Sequence, residues 1–122
     1  MKNLFLLLTL LTSMTMFSQV GEIVKWTYVK EGETIEDKKY MTSDAWFEIS
    51  EHRVDFTLDR DNIVSRYIVI NNYESEDGYF VIDLREISTG QEAALIFLSG
   101  ELFTLVFEDL SAIVGFYIIK KD

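Results

Sequence analysis

Period-two alternation of apolar and polar residues runs through most of the chain after residue 20. In Glu22–Lys30, Val24, Trp26 and Tyr28 share one face, while Lys25 and Thr27 share the other. Val54, Phe56 and Leu58 alternate with Arg53, Asp55, Thr57 and Asp59; Phe80, Ile82 and Leu84 alternate with Val81, Asp83 and Arg85; Phe103, Leu105 and Phe107 alternate with Leu102, Thr104 and Val106. Runs of this length and period predict half-buried β-strands. Ala45, Phe47 and Ile49 on an inner face put Trp46 and Glu48 on the outer one. The segment 63–73 fits two phases. Val64, Ile68 and Ile70 inside would carry Arg66 inside with them; Ile63, Tyr67 and Val69 inside would leave it outside. An inward arginine needs a carboxylate, for which Asp83 is the candidate, or an anionic ligand. The surface or paired position is the expected one.

Polar breaks separate these runs. Asp77-Gly78 and Ser99-Gly100 place glycine where a tight turn needs positive φ; Ser88-Thr89-Gly90 and Asp59-Arg60-Asp61-Asn62 are turn clusters of the same kind, and Ser50-Glu51 is a weaker one. Eight strands result, near 22–30, 44–50, 52–59, 63–73, 79–87, 92–99, 101–108 and 112–120. Short links between successive strands imply an antiparallel meander. The exception is Glu31–Ser43, charged and without a clear period, which reads as an excursion, a short helix or a lid. Ala93–Leu98 and Ile113–Ile119 are apolar on both faces, as in strands covered on both sides or at a subunit contact.

The fold class predicted is all-β: a small up-and-down meander closed into a barrel, with an open β-sandwich as the alternative. Closure removes exposed sheet edges. The architecture resembles lipocalin-like barrels at the level of fold alone. No lipocalin sequence signature is present, so the analogy implies no function. With bulky Val24, Trp26, Phe47, Phe56, Phe80, Ile82, Phe103 and Phe107 facing inward, the interior is expected to be filled, with no large cavity.

Residues 1–18, MKNLFLLLTLLTSMTMFS, break from this pattern. Lys2, the apolar run Leu4–Leu11 and the small and polar residues after it follow the order of a secretory signal peptide. The run is short of the roughly 20 residues that span a bilayer. Cleavage after Ser18 would leave one all-β domain, 19–122, in the periplasm or outside the cell, with no membrane span. The chain has no cysteine, which removes disulfides, thiol nucleophiles and thiolate metal sites, so stability must come from the 48 % of hydrophobic residues. The net charge of −10 repels phosphate backbones, which argues against nucleic acid as a partner.

Candidate chemistry is sparse. The single histidine, His52, sits beside a tight turn, and no nucleophile elbow, zinc motif or phosphate loop occurs. No metal or cofactor is expected. Asp59-x-Asp61-Asn62 lacks the glycine and terminal glutamate of an EF-hand loop. Carboxylate pairs such as Glu36-Asp37 and Glu108-Asp109 are frequent, but they fall in turns, where acidic residues are ordinary. The reading that remains is a non-catalytic binding or interaction domain of unknown specificity, with a protein or small molecule as its partner. A small carboxylate-dependent hydrolase, or an inhibitor of a secreted hydrolase, is the alternative. Glu36, Tyr40, Trp46 and Arg66 are the candidate binding residues. The site is expected on an aromatic surface beside the excursion 31–43.

Overall fold

A computed structural model describes residues 19–42, 44–58 and 63–119. The signal sequence expected over 1–18 and the turn cluster 59–62 lie outside the described residues. Eight strands follow in order: β1 (Gln19–Val29), β2 (Ala45–Ile49), β3 (Arg53–Leu58), β4 (Ile63–Glu74), β5 (Phe80–Glu86), β6 (Glu92–Phe97), β7 (Leu102–Phe107) and β8 (Ala112–Ile119). Each pairs antiparallel with the next, and β8 returns to β1 from Gly21–Ile119 through Val29–Ala112. That last seam closes the barrel and decides against the sandwich. Within the described part of the excursion Ile35–Asp37 forms a short 3₁₀ turn, and the chain then rejoins β1 through paired backbone hydrogen bonds between Met41 and Trp26.

The alternation holds along most strands, but two bulges interrupt it. In β1, Ile23 pairs with Tyr117 and Lys25 with Phe116, leaving Val24 as the extra residue. Two successive side chains therefore face out, and Val24, expected in the core, is 49 % exposed while Ile23 and Trp26 are buried. Trp26 and Tyr28 keep the inward phase; only the residue before them is displaced. In β4 the phase with Tyr67 inward is the one adopted, and Arg66 faces out, in register with Asp55 on β3. Asp83 is not its partner. A second bulge between Val69 and Asn71 brings Asn71 opposite Asp83, several residues along the strand from Arg66.

Among the turns, Gly78 and Gly90 take the expected positive φ, at 87° and 75°. Gly100 does not. The Ser99 hydroxyl accepts from the Glu101 N–H and holds that turn instead. Among the described residues, the non-glycine one with positive φ is Leu110, at 67°. Asp109 imposes it, accepting hydrogen bonds from both the N–H and the hydroxyl of Ser111 on the far side of Leu110.

One half of the interior is filled by rings. Phe47 lies 5.4 to 6.1 Å, centroid to centroid, from Phe56, Phe97, Phe103 and Tyr117. Two glycines on inward positions make the room: a Cβ on Gly21 would stand 2.2 Å from Phe47 Cζ, and one on Gly115 would stand 2.7 Å from Phe103 Cε1 and 2.9 Å from the Lys25 carbonyl oxygen. These are cross-strand glycine–aromatic pairs, Gly21 with Phe47 and Gly115 with Phe103, in which the ring covers the bare backbone of the opposite strand. The Tyr117 hydroxyl closes this half by donating to the Ser99 carbonyl at 3.1 Å.

Candidate functional site: the mouth of the barrel

The β1–β2, β3–β4, β5–β6 and β7–β8 connections share one end of an up-and-down barrel, and the recess opens there. It has a volume of about 380 Å³. Phe56 and Leu105, from the middle of their strands, lie deepest; Trp26, Tyr28, Tyr67 and Phe107 supply aromatic walls; Glu86, Gln91 and Glu92 stand at the lip. The interior is therefore not filled throughout, as the bulk of its residues led one to expect. Ala93, in register with Phe107, is the smallest of the lining side chains, and a larger residue there would take up part of the space.

The walls are held firmly. Trp26 is 6 % exposed, and its backbone exchanges two hydrogen bonds with Met41, whose side chain joins the lining. Its indole N–H meets no acceptor among the described residues, which is uncommon for a buried tryptophan. Tyr67 is buried, and its hydroxyl is held above the usual tyrosine range, first by desolvation and then by the negative charge of Glu86; a hydrogen bond with Ser65 works the other way. The phenol therefore stays protonated. Glu86 accepts from the Thr89 hydroxyl, and the turn beneath it is closed by bonds from the Glu86 N–H to the Gln91 carbonyl and from the Gly90 N–H to the Glu86 carbonyl. Glu92 meets Arg85 at 3.3 Å, in an exposed pair of the kind that contributes little.

The four residues singled out from sequence do not converge. Glu36 is exposed on the 3₁₀ turn. Tyr40 lies against Phe116 on the outer wall, at 5.8 Å between rings, with the Lys25 ammonium 5.0 Å above it. Trp46 is 41 % exposed, as its phase in β2 predicts, and borders an outer groove with Glu22, Val24 and Asp44. Arg66 borders a separate polar recess with Glu48, Arg53 and Asp55. None of the four lines the mouth. His52 sits in the β2–β3 turn at the opposite end, 3.7 Å from Glu51.

Trp26 and Tyr28 were visible in the sequence as two aromatic residues on one face of one strand. Tyr67, Glu86 and Phe107 were not recognisable as their neighbours, because only the register of the closed barrel brings them to the same rim. Comparisons with protein-family models, with curated proteins and with solved structures return no match for the chain.

Proposed function

We propose that this protein is an exported, non-catalytic binding domain that takes a small, largely apolar ligand in the mouth of its barrel. The observation that carries the reading is the recess itself. About 380 Å³ is left open at one end of a core that is otherwise packed with rings. Its volume falls in the lower part of the ~300–1,000 Å³ range of ligand sites, and like them it is mostly apolar with a few polar groups at the edge. Export is supported by the charge and hydropathy order of residues 1–18. The distribution of charge on the barrel favours a water-facing wall: Glu48, Asp55, Arg66 and Arg85 point outward, and the rings of Phe47, Phe56, Phe97 and Phe103 point inward, whereas a barrel embedded in lipid carries an uncharged apolar band outside.

The reading is tested by calorimetric titration with a neutral apolar probe, neopentylbenzene. Saturable one-to-one binding is expected, and Ala93→Leu, which fills the recess, should abolish it while leaving a cooperative thermal transition. Val24→Thr on the outer wall should bind as the parent does. Absence of saturable binding, or binding indifferent to Ala93→Leu in a folded variant, would overturn the proposal.

A further inference from the structure

The mouth combines two features that together select charge as well as size. Trp26, Tyr28, Tyr67 and Phe107 present aromatic surface, and no lysine or arginine is among the lining residues described. Among the described lining residues, Glu86 and Glu92 are the charged groups, and both stand at the lip. Of the two, Glu92 has the Arg85 guanidinium beside it, while Glu86, half-buried, meets no basic side chain among the described residues. A negative charge beside π-faces in a partly desolvated pocket is the arrangement that holds an ammonium group, because the ring quadrupoles and the carboxylate attract the same ion. The charge of Glu86 is already felt within the pocket, at the Tyr67 hydroxyl. An anionic ligand would meet the opposite field, strengthened by the net charge of −10.

Resting on the binding function proposed above, we propose that the ligand is a small organic cation, with an apolar or aromatic body among Trp26, Tyr28 and Phe107 and an ammonium group at Glu86. A quaternary or substituted amine fits better than a compact, strongly hydrated ion. Beyond the lip the described walls offer π-surface and, as side-chain oxygens, only the neutral hydroxyls of Tyr28, Ser65 and Tyr67, so the cation must shed its water cheaply.

The test compares three probes of similar shape by calorimetry on the folded chain: benzyltrimethylammonium, its neutral isostere neopentylbenzene, and phenylacetate. The cation is expected to bind about tenfold tighter than the isostere, with phenylacetate weakest. Glu86→Gln, which keeps the shape of the lip, should remove that preference and leave the isostere's affinity unchanged. Cation affinity should also fall with added salt, while that of the isostere does not. Equal binding of cation and isostere, insensitive to Glu86→Gln, would overturn the charge selectivity and leave the apolar pocket standing. Failure of both to bind would overturn the pocket as well. Tighter binding of phenylacetate would reverse the assignment of charge.

Discussion

At the scale of single residues, the core depends on a few matched pairs in which one side chain is missing so that another can fit. Gly21 and Gly115 are not turn residues. They are absences that let Phe47 and Phe103 reach the backbone opposite. Alanine at either position forces rings or backbone to shift and should destabilise the fold by ~1–3 kcal/mol, read as a lowered urea midpoint with unchanged slope. The Gly115 site should suffer more, because its second near neighbour is a backbone oxygen that cannot rotate away. Phe47→Ala, at the centre of the ring cluster, should cost ~3–5 kcal/mol in the same measurement. Leu110 is the converse case, a side chain where none is wanted: positive φ costs a branched residue about 1 kcal/mol, and the side chain is exposed and gains little from packing. Leu110→Gly is expected to stabilise by ~0.5–1 kcal/mol, and an unchanged or lower denaturation midpoint would contradict it.

At the scale of elements, strand positions were legible because alternation and turn chemistry are both local. All eight strands fall within a few residues of where the pattern put them. The bulges were not legible, since an extra residue in β1 is defined by what stands opposite it in β8, nearly a hundred residues away. Val24 shows the cost of that blindness: it belongs to the apolar phase by its neighbours in sequence and to the outer wall by its neighbours in space. Val24→Thr should change stability by less than ~0.5 kcal/mol, while Ile23→Ala costs ~2–5 kcal/mol, and equal losses at both would mean that β1 is unbulged. The site was harder still to read. Its residues come from β1, β3, β4, β5, β6, β7 and β8 and from Met41 and Gln91 outside the strands, so no segment carries a motif. The sequence-derived candidates Glu36, Tyr40, Trp46 and Arg66 are conspicuous by type, and type alone does not say which side of a strand, or which end of a barrel, a residue occupies.

For the whole molecule, the two buried phenols set a limit on the alkaline side. Desolvation holds the hydroxyls of Tyr67 and Tyr117 above the ordinary value of 10.0. A group whose folded pKa is raised contributes stability that is fully present below its unfolded pKa and is lost as pH climbs toward the folded value, because the unfolded chain then sheds the proton first. Stability should therefore decline above about pH 10. Replacing Tyr67 and Tyr117 by phenylalanine should flatten that decline, at the expense of about 1 kcal/mol at neutral pH for each hydrogen bond lost, Tyr117 with Ser99 and Tyr67 with Ser65. Thermal melts recorded by circular dichroism at pH 7, 9 and 11 separate the two effects; an equally steep decline in the double variant would place its origin elsewhere.

β1 begins and β8 ends at the ring-filled side of the barrel, where Gly21 lies opposite Ile119. Gln19 and Ile119 therefore lie behind the plug of phenylalanines, and the open mouth looks away from both. A copy immobilised through either end should take up ligand as freely as one in solution. One held through the 87–91 turn would have its own support in the doorway.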